Sequence, residues 1–274
     1  MKFAIINGEK VVASAGAKGI CQSCGAEMIA KCGEFKINHW AHKKNLQCDT
    51  WWETETKWHR EWKGNFPNDW QENILCDSLT NEKHIADVRT DKGLVIEFQH
   101  SHINPVERSQ RENFYKNMIW IVDGTRLQRD IPRFIKAQKD CVFIDGPSIL
   151  GIEFADECFP KNWLDSSVPV IFDFNGLGIT ESNKSNTTLL YCIFPIKVGW
   201  LTIFAEISRK ALIKSITDGE WETRCENYIN ILNERNILRA QQKKLELEKR
   251  QAHAMFQFNQ KLLGRVYTGG RRRF

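Results

Sequence analysis

The segment of residues 83–101, KHIADVRTDKGLVIEFQHS, carries Asp87, Glu97 and Gln99 at positions where apolar side chains would pack better. Two strand-like runs flank a three-residue loop at positions 91–93, and a loop of this length with glycine in its last position is a common hairpin closure. This closure places Asp87 directly opposite Glu97. Since side chains alternate along a strand, Gln99 is expected on the same face as Glu97.

Two neighbouring carboxylates repel each other, so the pair of Asp87 and Glu97 lowers stability unless a cation lies between them. Oxygen ligands at this spacing suit Mg²⁺ or Mn²⁺. The hairpin therefore predicts a divalent-metal site. The alternative is an acidic pair that faces water on a sheet edge, and a one-residue change of register would also separate the two side chains.

The elements around the hairpin are predicted from periodicity. Residues 51–66, WWETETKWHREWKGNF, have the pattern of a helix in which Glu55, His59 and Lys63 form one polar row beside a stripe of tryptophans. Three strands are expected to follow, at residues 72–76, 83–89 and 93–100.

A second helix is expected to begin near Asn104, a good N-cap residue that Pro105 follows at the first helical position. It leads into the apolar run MIWIV at residues 118–122, which has the character of a buried strand and ends at an Asp-Gly pair. Residues 51–123 thus predict the order helix, three strands, helix, strand.

This order, with the pattern D-x9-E-x-Q on the second and third strands, resembles the core of the PD-(D/E)XK nucleases. The wider run resembles the CoiA-like competence protein family. The resemblance is carried, over roughly residues 20–124, by the motifs CQSC, HWAH, ETKWHREWK, HIADV, VIEFQHS and RENFYKNMIWIVDG.

The resemblance implies that Asp87 and Glu97 bind the metal, that the backbone carbonyl of Phe98 adds a ligand, and that Glu55 helps to hold the ion through water. A metal at this position would lower the pKa of a bound water and neutralise the charge that develops on a phosphodiester. The implied activity is that of a magnesium-dependent deoxyribonuclease.

Gln99 stands where the superfamily usually has lysine, and glutamine brings no positive charge. His59 or Lys63 is a candidate for the missing cation, and a slow or inactive site is the alternative. His100, Lys63 and Arg111 are candidate contacts to DNA phosphates, although turn and helix-surface residues of these types are also common without a ligand.

A second candidate site lies nearer the N-terminus. Four residues have the types and spacing of a tetrahedral zinc site: Cys21, Cys24, His42 and Cys48. Thiolates and imidazole suit Zn²⁺, and a closed site would stabilise a small glycine-rich module that has little core. Cys32 and His39 are competing ligands.

The positive charge is concentrated near the C-terminus. The whole chain of 274 residues has a net charge of +5, while residues 239–274 hold ten Lys and Arg against two Glu, a net of +8, which leaves −3 for the rest. Arg271, Arg272 and Arg273 are therefore candidate DNA contacts, and a solvated helix with a frayed end is the alternative.

No run approaches the ~18 apolar residues of a membrane span, and the N-terminus lacks the pattern of a signal peptide. We therefore expect a cytoplasmic protein without a membrane partner. Residues 222–262 have the composition of a long polar helix, which predicts a protein partner or self-association.

These patterns predict an α+β protein. Its expected parts are a zinc-ribbon-like module at residues 1–50, a restriction-endonuclease-like αβββαβ core at residues 51–140, a β-rich region at residues 141–221, and a long basic helix with its tail at residues 222–274. The role of residues 141–221 does not follow from the sequence.

Three functions agree with these features. The first is a metal-dependent nuclease that acts on single- or double-stranded DNA in competence, a mobile element or defence. The second is a non-catalytic factor that binds single-stranded DNA for recombination or DNA uptake. A protein that acts mainly through its C-terminal helix is a third. The carboxylates favour the nuclease, because acidic groups repel a polyanion unless a metal is present.

Overall fold

We describe a computed structural model of the chain over residues 1–34, 36–44, 48–78, 80–145, 148–175 and 188–268. The chain divides into two compact units, residues 1–225 and the part that begins at residue 226. The described residues of the second unit all belong to helix α5 (Trp221–Thr268), whose first five residues are counted with the first unit. None of the helices over the described residues is long and apolar enough to cross a membrane.

A five-stranded antiparallel sheet forms the N-terminal part of the first unit, in the order β2-β1-β3-β4-β5. Its strands are β1 (Phe3–Ile6), β2 (Glu9–Val12), β3 (Lys18–Ile20), β4 (Glu27–Lys31) and β5 (His39–His42). Asn7 and Gly8 close the β1–β2 hairpin at φ 53° and 88°, the left-handed conformation that such a turn requires. Met28 and Trp40 are buried in the small core beneath it.

A nine-stranded mixed sheet forms the rest, in the order β10-β11-β14-β13-β12-β9-β8-β7-β6. Its first half contains β6 (Gln71–Cys76), β7 (Lys83–Arg89), β8 (Val95–Gln99) and β9 (Met118–Asp123). Its second half contains β10 (Val142–Asp145), β11 (Ile149–Ile152), β12 (Val170–Asp173), β13 (Leu189–Val198) and β14 (Leu201–Ser208). Strands β8, β9 and β12 are parallel neighbours, and the other pairs are antiparallel.

Four shorter helices pack with this sheet: α1 (Lys57–Lys63), α2 (Pro105–Tyr115), α3 (Asp130–Ala137) and α4 (Arg209–Thr217). The predicted order of one helix, three strands, a helix and a strand over residues 51–123 is confirmed by α1, β6–β8, α2 and β9. The α+β class is confirmed as well, with its large mixed sheet and its long C-terminal helix. Strand β11 and helices α3 and α4 were not predicted.

The predicted helix over residues 51–66 is wrong in its first turn and a half. Thr56 is the N-cap of α1: its side chain accepts a hydrogen bond from His59 N (3.3 Å), and His59 Nδ1 accepts one from the Thr56 N–H (3.3 Å). This reciprocal capping box starts the helix at Lys57. Glu55 therefore precedes the helix, and Trp51 stacks on His84 with ring centroids 3.2 Å apart.

Strands on both sides of residue 140 join one sheet, because β12 pairs in parallel with β9. The domain boundaries at residues 50, 140 and 221 stay predictions. The second half of the sheet also holds α1 in place. Asp173, at the end of β12, accepts hydrogen bonds from the indole N–H groups of Trp58 (3.3 Å) and Trp62 (3.0 Å).

Gly124 leaves no room for a side chain after β9. A Cβ at this position would lie 2.4 Å from the ring of the buried Phe174. We expect Gly124→Ala to lower the free energy of unfolding by about 1–3 kcal/mol, since overpacking forces the ring or the backbone to shift. Chemical denaturation measures this loss.

Gly33→Ala is the matched control, because a Cβ at Gly33 would meet no heavy atom within 4 Å. Its effect should stay within about 0.5 kcal/mol. Equal losses in the two variants would contradict the packing around Gly124.

Candidate active site and metal centre

The β7–β8 hairpin has the register that its turn predicts. The Thr90 N–H donates to the Leu94 carbonyl (2.9 Å), and Gly93 has φ 89°, where a side chain would be strained. Val88 pairs with Ile96, which places Asp87 opposite Glu97. The sequence was sufficient to predict this register because the loop length sets the pairing of the two strands.

Backbone N–H groups of the hairpin hold the two carboxylates. The Asp87 N–H donates to Glu97 Oε1 (3.1 Å), and the Phe98 N–H donates to Asp87 Oδ2 (3.1 Å). The remaining oxygens face cations: Glu97 Oε2 lies 3.2 Å from Arg111 Nη1, and Asp87 Oδ1 lies 3.4 Å from Lys63 Nζ. The Glu97 side chain is 6% exposed and that of Asp87 is 25% exposed, so Asp87 forms the more open side of the pair.

Burial and the charge of Asp87 raise the pKa of Glu97 to about 8, although Arg111 acts in the opposite direction. Burial and the neighbouring carboxylate thus both disfavour the charged form of Glu97. A buried carboxyl with this behaviour is one mark of a functional site, because a nonfunctional core gains nothing from it.

Lys63 is almost fully buried, and three carboxylates surround its ammonium group. Its ammonium lies 2.8 Å from Glu55, 3.2 Å from Glu72 and 3.4 Å from Asp87, and its side chain is 3% exposed. Burial alone would lower the pKa of Lys63, but the charges of Glu72, Asp87 and Glu55 together raise it. Lys63 therefore stays charged in the interior.

Glu72 was missed by the sequence analysis. Its carboxylate also accepts the N–H groups of Lys2 (2.6 Å) and Phe3 (3.0 Å), so it joins strand β1 to strand β6. Its backbone has φ 50°, a left-handed conformation that costs a non-glycine residue of order 1 kcal/mol. The available signal in the sequence was an acidic residue near the start of the strand segment QENILC.

His59 is tied to both the helix cap and the hairpin. Because its Nδ1 accepts from the Thr56 N–H, the ring hydrogen is on Nε2, which donates to the Phe98 carbonyl (2.9 Å). Burial lowers the pKa of His59, which favours the neutral ring. The carbonyl that the resemblance assigns to the metal thus already accepts one hydrogen bond.

Gln99 is only 1% exposed and lies outside the lining of the cavity described next. Its amide donates to Glu53 and, at 3.3 Å, to the carbonyl of Ser101. Its Oε1 is buried without a hydrogen-bond partner among the described residues. Gln99 thus contacts the edge of the candidate site through Glu53 rather than the two hairpin carboxylates.

A cavity of about 70 Å³ lies over the hairpin carboxylates. Six acidic residues line it: Asp49, Glu53, Glu55, Glu72, Asp87 and Glu97. Among the described residues, Lys63 and Arg111 are the cationic side chains of the lining, and Arg60 pairs with Glu55 from outside it. The oxygen donors of this lining are of the kind that Mg²⁺ and Mn²⁺ prefer.

Two of the candidate DNA contacts lie in the interior. Arg111 is buried against Glu97 and donates to Glu107 (2.5 Å) and to the Trp51 carbonyl (2.8 Å). Lys63 is equally enclosed, so both residues act on the carboxylates in this structure. His100 remains partly exposed beside Asp123 (2.7 Å), while Arg271, Arg272 and Arg273 lie outside the described residues.

The second candidate site brings together the four residues that the spacing selects. One ligand atom each from Cys21, Cys24, His42 and Cys48 lies within 4.8 Å of all the others. The Cys21 and Cys48 sulfurs are 3.8 Å apart, and Cys24 Sγ lies 3.3 Å from His42 Nε2. Tetrahedral zinc with bonds of about 2.3 Å to sulfur and 2.0 Å to nitrogen has edges of about 3.8 Å and 3.5 Å. The donor set and its spacing therefore fit Zn²⁺.

The two competing ligands lie outside this cluster. His39 Nδ1 is 2.9 Å from the carbonyl oxygen of Ile37, and Cys32 is not part of the group among the described residues. Burial and the neighbouring Cys21 and Cys24 sulfurs raise the pKa of Cys48 to about 12, so the cluster gains from a cation that stabilises the thiolate.

Residues 10–50 match the family model of the N-terminal domain of competence protein CoiA. The matched segment contains β3–β5 and all four residues of the Cys/His cluster. The CoiA-like resemblance is thus confirmed over this module. Searches of curated proteins and of solved structures found no match.

We expect the purified chain to contain about one zinc ion and Cys48→Ser to lose it, because three ligands hold the ion far less tightly than four. Elemental analysis of the metal content measures this. Cys32→Ser is the matched control and should keep the metal. Loss of zinc in Cys32→Ser alone would show that a different set of ligands is used.

Glu55 should contribute to stability in a pH-dependent way. Burial acts to raise its pKa, but Lys63 and Arg60 lower it to about 2 from the usual 4.5. A lowered pKa gives stability that is present above the unfolded value and is lost as the pH falls toward the folded value. The difference in free energy of unfolding between the parent and Glu55→Gln should shrink by about 2 kcal/mol from about pH 5 to pH 3.

Urea denaturation at several pH values measures this difference. Glu61→Gln is the control, since the Glu61 side chain on the adjoining helix α1 is 59% exposed. A difference between the parent and Glu55→Gln that does not change with pH would contradict the buried ion pair.

Proposed function

We propose that the protein is a metal-dependent DNA nuclease with a PD-(D/E)XK-like core and a structural zinc module. The observation that carries the proposal is the pair of Asp87 and Glu97, side by side on two antiparallel strands and open to an acidic cavity. A protein that only binds DNA gains nothing from six carboxylates around one cavity, because they repel phosphate.

The residues of the cavity have separable roles. Asp87 and Glu97 would hold the ion, which supplies a water of lowered pKa and neutralises charge on the phosphodiester. Arg111 would stabilise the Glu97 carboxylate in this role, because its guanidinium lies 3.2 Å away. Lys63 would orient Asp87. His59 orients the Phe98 carbonyl at the end of the pair.

The match to the CoiA N-terminal domain supports a setting in competence, that is, in the handling of incoming DNA. It covers the Cys/His module and not the carboxylate cavity, so the nuclease chemistry rests on the cavity alone. A cytoplasmic location remains part of the proposal.

The second candidate function is a non-catalytic factor that binds single-stranded DNA. One observation favours it: Lys63 and Arg111 already pair with Asp87 and Glu97, so the chain itself balances part of the acidic charge. Gln99 in place of lysine agrees with a site that has lost its chemistry. Assembly through the C-terminal helix is compatible with either function.

The proposal predicts that the purified protein cuts DNA with Mg²⁺ or Mn²⁺ and not with EDTA, and that Glu97→Gln abolishes cutting. Linear and circular DNA, each single- and double-stranded, would be incubated with the parent and the variant. Removal of one metal ligand is expected to reduce the rate by about a hundredfold or more, whereas DNA binding in EDTA should be unchanged.

Two controls make this test specific. Asp91→Asn removes a carboxylate from the exposed loop of the same hairpin and should cut at the parental rate. Glu97→Gln keeps the size of the side chain and an oxygen that can accept from Arg111, and its melting temperature in EDTA shows whether a loss of cutting comes from unfolding. Cutting by Glu97→Gln at the parental rate would overturn the proposal, and binding without any cutting would favour the non-catalytic factor.

A further inference from the structure

A second and larger cavity, of about 500 Å³, opens at the carboxyl ends of the three parallel strands β8, β9 and β12. The loops that follow β8 and β9 form much of its lining. In open sheets, ligands commonly bind in the crevice at the carboxyl ends of parallel strands. We call it the arginine cavity, after its basic lining residues: His100, His102, Arg126, Arg129, Arg133 and Lys161.

Part of the positive charge in this cavity is not balanced by the chain. Arg133 pairs with Asp130 (3.0 Å) and Lys161 with Asp156 (3.0 Å). Arg126 and Arg129 have exposed side chains and no carboxylate within 4.0 Å among the described residues. Two unpaired guanidinium groups in one loop suit a ligand with negatively charged oxygens, because the planar group forms two parallel hydrogen bonds to phosphate.

The arginine cavity adjoins the carboxylate cavity through two histidine rings. His100 lines the first and His59 lines the second, and their ring centroids are 6.1 Å apart. His100 is held by Asp123 at 2.7 Å, and Asp123 also ends strand β9. A bound chain that leaves the carboxylate cavity past His100 therefore meets Arg126 and Arg129.

Four Arg and Lys side chains against three Asp line the arginine cavity, whereas acidic residues dominate the lining of the carboxylate cavity, and that contrast fits a polyanion. A DNA strand that approaches six carboxylates is repelled unless cations hold it close by. Lys63 and Arg111 cannot serve in that way, since both are buried in ion pairs. The arginine cavity supplies exposed cations directly beside the acidic one.

We infer that the arginine cavity binds backbone phosphates of a DNA strand that lies across the mouth of the carboxylate cavity, with Arg126 and Arg129 as the principal contacts. This inference rests on the proposed function, whose substrate it positions. If Arg126 and Arg129 bind the phosphates, the loop after β9 determines which part of the DNA strand reaches the carboxylate cavity. His59 of the carboxylate cavity and His100 of the arginine cavity are the neighbouring residues of the two linings.

The test measures binding in EDTA, so that cutting plays no part. Fluorescence anisotropy with a labelled oligonucleotide, single-stranded or as a duplex, would give the Kd of the parent and of the double variant Arg126→Ala/Arg129→Ala over a range of salt. Each lost phosphate contact should reduce the slope of log K against log salt by about 0.9 for a duplex or about 0.7 for a single strand. By the same relation, the loss of two phosphate contacts should raise the Kd of the double variant on the order of a hundredfold at about 50 mM salt.

The control is Lys136→Ala/Lys139→Ala, which removes the same charge from exposed positions outside the cavity. It should change the Kd by less than about threefold, and the melting temperatures of both variants should match the parent. Equal weakening in the two double variants would overturn the inference, since it would show a response to net charge alone.

The outcomes for the two proposals are distinguishable. If the parent cuts DNA and Arg126→Ala/Arg129→Ala binds like the control, the nuclease stands and the arginine cavity does not bind the strand. If the double variant loses binding and the parent never cuts, the cavity binds DNA in a protein without nuclease activity.

Discussion

The interaction on which the rest of the structure depends is the buried ammonium of Lys63 among Glu55, Glu72 and Asp87. A single lysine at the end of α1 thereby joins the segment before that helix, strand β6 and strand β7. Through Glu72 it also reaches β1, because that carboxylate accepts two backbone N–H groups of the N-terminal sheet. Removing one partner from such a buried group typically costs about 3–5 kcal/mol, since the charge that remains has neither water nor a counter-ion.

The same electrostatics set the state of the candidate site. Lys63 and Arg111 each pair with one hairpin carboxylate, and Arg60 pairs with Glu55. Burial and the charge of Asp87 nevertheless raise the pKa of Glu97, the less exposed of the two hairpin carboxyls. A fold selected for stability alone would replace these groups by apolar ones, so their presence marks where function opposes stability.

The second half of the large sheet contributes to this site without lining the carboxylate cavity. Asp173 on β12 fixes Trp58 and Trp62, and these two indoles orient the helix that carries His59 and Lys63. The parallel pairing of β12 with β9 also forms the crevice of the arginine cavity. Residues 141–221, whose role the sequence left open, thus support α1 and contribute lining residues to the arginine cavity.

The sequence by itself determined the features that depend on near neighbours. Loop length and Gly93 set the register that places Asp87 beside Glu97, spacing selected the four residues of the Cys/His cluster, and Asn104 marked the start of α2. Only the tertiary structure decided which groups meet across the chain. It turned Lys63 and Arg111 inward, added Glu72 to the site, shortened α1 at Thr56 and joined the late strands to the early ones. Turns and caps are local and follow from a few residues, whereas ion pairs and strand neighbours far apart in the chain are chosen by the packing of the whole sheet.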